Sequence, residues 1–279
     1  MSSLLKRLIL TFTAVPALFS LIYFLPYYTH VAFAILVVIA VMIGGYEMTH
    51  MLSEQGQRPL LPFWVGGLLP IAQYVQSVFF PTYPVVSTTL VTLLTIAFAI
   101  EIITGAKDEF SFTIERYGKT TLVLFYPSYV SIFLIKVLLL EHPSLMLLLL
   151  FLCVFGNDTF AYVFGMWLGR NNCNVVAVSP NKSIAGFIGG SVMSMVIAYL
   201  FITFIPTMAH TFNWWQALSI GLVTSIAGNI GDLIESTIKR GVNVKDSGTI
   251  ILGRGGILDS IDSLLLIAPI FYVMIILFS

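Results

Sequence analysis

Charge is what this chain has least of. Asp, Glu, Lys and Arg make up 9% of its 279 residues and hydrophobic residues 58%, whereas a soluble domain carries about one quarter charged residues. That shortage excludes water as the solvent for most of the chain. The 13 basic and 13 acidic residues cancel, and the cations stand singly or in pairs, so no nucleic-acid partner is expected. Cysteine is scarce as well. Cys153 lies in an apolar run and Cys173 in a polar connector, with no CxxC or histidine spacing, which excludes a thiolate metal site and leaves two plain thiols. Also lacking is the polar–apolar alternation of barrel strands, so spanning segments are expected to be helices.

What the chain has instead is apolar runs long enough to cross about 30 Å of hydrocarbon at 1.5 Å per residue. About nine follow one another, at roughly 8–28, 31–48, 60–80, 85–104, 120–140, 144–168, 183–206, 214–232 and 261–278. The expected fold is an all-α polytopic membrane protein. Lys6 and Arg7 ahead of Leu8 to Phe24 imitate a secretory signal. Pro16 and Pro26 interrupt that stretch and no small-x-small site follows, so it is expected to remain as the first span. We expect residues 1–119 to form N-terminal transmembrane helices and 120–279 a catalytic transmembrane region.

Orientation follows from lysine and arginine, which concentrate on the cytoplasmic side. With the N-terminus inside, Lys6, Arg7, Arg58, Lys107, Arg116, Lys119, Arg170, Lys182, Lys239, Arg240, Lys245 and Arg254 all fall in the cytoplasm. Lys136 alone departs, and its long stem can snorkel from the end of its span.

Charged groups inside spans cost roughly 2.5–3.5 kcal/mol each, which makes those present candidates for function. Glu47 and Glu101 sit near cytoplasmic helix ends and are read as structural. Asn157, Asp158 and Thr159 form a polar step within one span, and three successive polar side chains cannot all face lipid, so Asp158 is read as functional. Ser179-Pro180-Asn181-Lys182-Ser183 leads into Gly186, Gly189 and Gly190. This pattern suits either an anion at a helix N-terminus or a helix cap followed by packing glycines.

The densest polar segment runs from Gly231 to Asp262. It contains Asp232, Glu235, Lys239, Arg240, Lys245, Asp246, Arg254, Asp259 and Asp262. Asp232, Glu235, Ser236 and Lys239 recur at three- and four-residue spacing and share one helix face. Grouped carboxylates need a cation between them, and hard oxygen ligands suit Mg²⁺. Neighbouring lysine and arginine, with Gly248, Gly253, Gly255 and Gly256, offer phosphate contacts. The bland reading is a solvated loop with weak helix-face ion pairs.

Ser236-Thr-Ile-Lys239-Arg240, Lys245-Asp246 and Gly255-Gly256-Ile-Leu-Asp259-Ser-Ile-Asp262 together resemble the signature of the phosphatidate cytidylyltransferases, the CDP-diacylglycerol synthases. Gly231-Asp232-Leu-Ile-Glu235, Asn157-Asp158-Thr-Phe-Ala-Tyr162 and the Ser179–Ser183 block are similar to the family's other blocks, in the right order. The resemblance covers about the C-terminal 45% of the chain closely. It implies attack of phosphatidate on CTP at a cytoplasmic face of a bacterial inner membrane. Asp232, Asp246, Lys239 and Asp259 would be catalytic, and Asp232, Asp246, Asp259 and Asp262 would hold Mg²⁺, with a second cation compatible. Asp158, Ser179, Lys182, Ser236, Arg240, Lys245, Arg254, Gly255 and Gly256 would bind substrate. Partners would be CTP, phosphatidate or a related lipid phosphate, and membrane lipid; a homodimer is compatible. Leu252, Arg254, Ser260 and Ala185 stand where the family has proline, histidine, arginine and glutamate. The alternatives are a divergent paralogue acting on another lipid phosphate, an inactive lipid-binding partner, and a transporter using Asp158, Lys136 and Glu101 as a relay.

Overall fold

The computed structural model describes residues 3–54, 56–169, 176–180, 182–251 and 255–278, the side chains of 3–12 and 14 excepted. Its helices are α1 (Ser3–Phe24), α2 (Tyr27–Ser53), α3 (Leu68–Val78), α4 (Val85–Gly105), α5 (Thr113–Val123), α6 (Ile132–Val137), α7 (Pro143–Leu168), α8 (Ile184–Phe204), α9 (Pro206–Thr211), α10 (Trp214–Gly241) and α11 (Leu258–Phe278). Ile251 and Gly255 form an isolated antiparallel bridge. Among the described residues, seven helical stretches are long and apolar enough to cross a membrane: Tyr27–Ser53, Val85–Asp108, Thr113–Val137, Pro143–Leu168, Ile184–Phe204, Trp214–Gly241 and Leu258–Phe278. The protein is an all-α polytopic membrane protein. The expected run at 60–80 is instead a 3₁₀ turn, Phe63–Gly67, followed by the 11-residue α3.

Local sequence explains where these helices start and bend. Tyr28, Thr29 and His30 have positive φ, so the regular right-handed part of α2 begins beyond them. Asn213 and Gln216 cap α10 reciprocally, each backbone N–H donating to the other's side-chain oxygen at 2.9 and 3.2 Å. Between α5 and α6 the chain widens into a π-helix, Leu124–Tyr129, around Pro127. Proline has no N–H to offer the carbonyl four residues back and its ring crowds that carbonyl. The Val123 oxygen, which faces Pro127 in place of an amide four residues on, accepts from Ser128 Oγ at 3.0 Å.

The chain folds into two compact units, each drawn from two separate pieces. The first comprises Met1–Leu139 with Gly241–Ile261, and the second Leu140–Arg240 with Asp262–Ser279. Leu61, Val65, Leu69, Ala72, Val86, Leu93, Ala97, Leu124 and Ile132 form a buried cluster in the first. Also in the first, Glu101, at the end of α4, is 1% exposed and takes two hydrogen bonds from Arg116, Nε at 2.7 Å and Nη2 at 2.6 Å. Asp108 and Gln57 accept from the same guanidinium, and Thr113 Oγ1 donates to Glu101 at 2.6 Å. These partners satisfy the buried Glu101 carboxylate. Lys119 Nζ donates to the Leu52 carbonyl at 2.8 Å, closing the end of α2. The Lys136 ammonium lies 4.7 Å from the centre of the Phe133 ring.

In the second unit, Leu147, Leu149, Leu150, Ile202, Ile220, Leu265 and Phe271 are buried. Helices α7 and α8 approach closely because glycines face the contact. A Cβ on Gly186 would stand 2.8 Å from the Ala161 carbonyl, and one on Gly190 2.9 Å from the Asn157 carbonyl. Lipid tails are as apolar as leucine, so such small-residue contacts replace the hydrophobic drive that holds soluble helices together. Cys153 is a buried free thiol, while Cys173 and Arg170 lie outside the described residues.

Candidate metal-assisted phosphate site

The site in the second unit starts from two glycines one turn apart on α10. A Cβ on Gly228 would meet the Ile267 side chain at 2.9 Å, and one on Gly231 the Asp262 carbonyl at 2.8 Å. This closeness sets the first turns of α11 beside the polar end of α10, which continues as helix to Gly241 well past its apolar run. As a result Asp232, Glu235 and Asp262 each present a carboxylate oxygen within 4.8 Å of the others. Substituting Gly231→Val should drive the two helices apart and reduce stability by about 1–3 kcal/mol, measured as loss of thermal stability in detergent. A wild-type melting profile would contradict the close contact.

Lysines attend two of the three carboxylates. Lys239 pairs with Glu235 one turn back on α10, and Lys182 pairs with Asp232. Glu235 is buried, Asp262 is 7% exposed, and the Asp232 side chain is 37% exposed, so the group is open to solvent at one edge. Lys182 reaches it from a turn closed by its own N–H donating to the Ser179 carbonyl at 3.1 Å, with Pro180 at the second position. The adjoining Ser183 is the N-cap of α8, its Oγ accepting from the Gly186 N–H at 3.1 Å. Of the two readings of that block, the cap with packing glycines describes Ser183, Gly186 and Gly190, while Lys182 serves the acidic group. Asn157 is buried, and its Oδ1 accepts from Ser225 Oγ at 2.6 Å, which in turn bonds Ser191 Oγ at 2.7 Å. Asp158 is exposed and accepts from Asn157 Nδ2 at 3.3 Å. Ser179 and Ser236 are half-buried and Arg240 is exposed at the end of α10.

The remaining expected residues belong to the first unit. Lys245 and Asp246 are exposed on the segment that leaves α10. Asp259 Oδ2 accepts from the backbone N–H of Ser247 at 2.9 Å and of Gly256 at 2.7 Å. Gly255 has φ +107°, a conformation that side chains rarely adopt, so glycine is required there. Ser260 Oγ donates to the Gly256 carbonyl at 3.3 Å. Arg254 and Leu252 lie outside the described residues.

The profile of the Cytidylyltransferase family matches residues 5–278, nearly the whole chain. The chain belongs to the cytidylyltransferase family. It is 41% identical over 126 residues to a phosphatidate cytidylyltransferase of Staphylococcus haemolyticus strain JCSC1435, covering 45% of this chain and 47% of that protein. The protein of the same name in Staphylococcus epidermidis strain RP62A is 41% identical over 130 residues, 47% of this chain and 48% of its own length. That in Staphylococcus saprophyticus strain ATCC 15305 is 38% identical over 130 residues. The chain thus spans about half the length of the curated relatives it matches.

Two carboxylates of this chain, Glu235 and Glu47, are not among the site residues expected from sequence. Glu235 was noted on the shared face of α10 but not among the metal ligands, although the structure groups it with Asp232 and Asp262. Its spacing, three residues from Asp232, was the available signal. Glu47 is expected to be structural, and its partners are 200 and 211 residues away, where no local pattern announces them. Glu101 is paired with Arg116 and Lys136 lies over Phe133.

Proposed function

We propose that this protein transfers the cytidylyl group of CTP to phosphatidate, forming CDP-diacylglycerol and pyrophosphate. One observation carries the reading: three carboxylate oxygens within 4.8 Å of one another, with two lysines paired to them, in a chain of the cytidylyltransferase family. An oxygen of the lipid phosphate forms a bond to the α-phosphorus of CTP. The bond from that phosphorus to the bridging oxygen breaks, and pyrophosphate leaves with the electron pair. The attacking phosphate is already anionic, so no strong base is needed. Lys182, Lys239 and Arg240 would take up phosphate charge in place of, or beside, the carboxylates. Asp232, Glu235 and Asp262 offer the clustered hard oxygen donors that suit Mg²⁺, which when bound would neutralise charge on the phosphate oxygens. As the family resemblance implies, Lys245 and the Gly255–Gly256 turn would meet the nucleotide phosphates and Asp246 would hold Mg²⁺ there. Asp259, whose Oδ2 already holds two amides, is assigned to shaping that segment. The lysine and arginine distribution supports a cytoplasmic site, and the bacterial relatives support an inner-membrane setting.

Purified protein with Mg²⁺, labelled CTP and phosphatidate should yield CDP-diacylglycerol and pyrophosphate in equal amounts. A panel of other lipid phosphates and nucleoside triphosphates run alongside tests a redirected specificity, a reading favoured by Ser260, which places a hydroxyl bonded to Gly256 where the family has a cation. No product from any pair would overturn the proposal.

A further inference from the structure

The segment proposed above to meet nucleotide phosphates is fastened to a helix far away in sequence. Glu47 of α2 is 2% exposed, and a buried carboxylate is costly unless donors surround it. Its oxygens accept from Ser247 Oγ at 3.1 Å, from the Ile257 N–H at 2.9 Å and from the Leu258 N–H at 2.8 Å. The last two are orphan donors of the first turn of α11, where the helix dipole also favours a negative charge. Two glycines make the approach possible. A Cβ on Gly248 would stand 2.7 Å from Glu47 Oε1, and one on Gly256 would run into the same carboxylate. Asp259 closes the same segment from the other end, through the Ser247 and Gly256 amides. Both ends of the segment, 247–248 and 256–258, thus converge on one buried carboxylate supplied by α2.

We infer that Glu47 is a positioning residue: it holds Lys245–Asp246 and the Gly255–Gly256 turn in the shape that binds the nucleotide's phosphates, without touching substrate itself. This rests on the cytidylyl-transfer reading for its ligand but not for its geometry. Glu47→Gln keeps the volume, retains one acceptor oxygen and turns the other position into a donor that faces N–H groups. Gly248→Ala keeps the carboxylate and pushes it aside.

The test measures both variants and their combination by amide hydrogen exchange without substrate, and by steady-state kinetics. Exchange at Ile257 and Leu258 should quicken roughly tenfold or more in each single variant, with exchange in α7 and α8 unchanged. KM for CTP should rise by about tenfold, with a smaller change in kcat and none in Mn²⁺ titration of the Asp232 group. The double variant should be no worse than the worse single one, since both break the same contact. Glu47→Asp should recover less than wild type but more than Glu47→Ala. Unchanged exchange at Ile257 and Leu258 overturns the positioning role whatever the enzyme's substrate. Faster exchange with unchanged KM overturns its link to the nucleotide. If wild-type protein neither turns over nor binds CTP, the cytidylyl-transfer reading falls together with that link, and exchange alone decides whether Glu47 orders the segment.

Discussion

Asp232→Asn is expected to lower CDP-diacylglycerol formation by about 10²–10³-fold or more while the protein remains folded. The asparagine has the same shape, so packing of α10 is kept. The side chain is 37% exposed and its pairing with Lys182 is near the surface, where losing an ion pair costs stability little. What changes is the charge of a group in which three oxygens lie within 4.8 Å. Removing one carboxylate weakens the hold on a divalent cation and leaves Lys182 without its anion. Mn²⁺ titration should therefore weaken in parallel with turnover, and thermal stability should not. Asp262→Asn should behave alike because its oxygen belongs to the same group. Full turnover in both variants would remove the site assignment, and weakened turnover with unchanged metal affinity would remove the metal from it.

Arg116→Met is expected to have the largest effect on stability. The guanidinium holds Glu101 through two parallel hydrogen bonds, and Asp108 through Nη1 at 2.6 Å. Methionine fills similar space but leaves the buried Glu101 carboxylate without its cation. Breaking one half of such a pair is far more damaging than replacing both. A thermal midpoint lowered by on the order of 10 °C in detergent is the expected result. Arg116→Lys should recover part of it, since an ammonium keeps the charge and loses the planar fork. Glu101→Gln combined with Arg116→Met should melt higher than Arg116→Met alone. Were the single variant to melt like wild type, the cluster at the end of α4 would have no part in holding the first unit together.

The sequence by itself determined the solvent, the class of fold and where the polar residues crowd. Apolar runs of spanning length with few charges leave no stable alternative to membrane helices, because unsatisfied backbone groups are intolerable in hydrocarbon. The crowding from Gly231 to Asp262 marked the polar region, since charge is costly within hydrocarbon and collects where helices leave it. The shared face of Asp232, Glu235 and Lys239 was legible too, since helical spacing is local, and the structure pairs Glu235 with Lys239 one turn apart. Local proline and hydroxyl chemistry, by contrast, hid the break at Pro127 inside an apparently continuous run.

Only the tertiary structure decided which carboxylates stand together. Four aspartates fitted the pattern equally well, yet Asp262 joins Asp232 and Glu235 because Gly228 and Gly231 let α11 lie against α10, while Asp259 turns to the backbone of Ser247 and Gly256. Asp259 and Asp262 stand three residues apart just as Asp232 and Glu235 do, so spacing could not separate them; the donors near each carboxylate do. Glu47 was beyond reach for a related reason. A buried carboxylate is defined by the donors around it, and those donors come from a segment some 200 residues away.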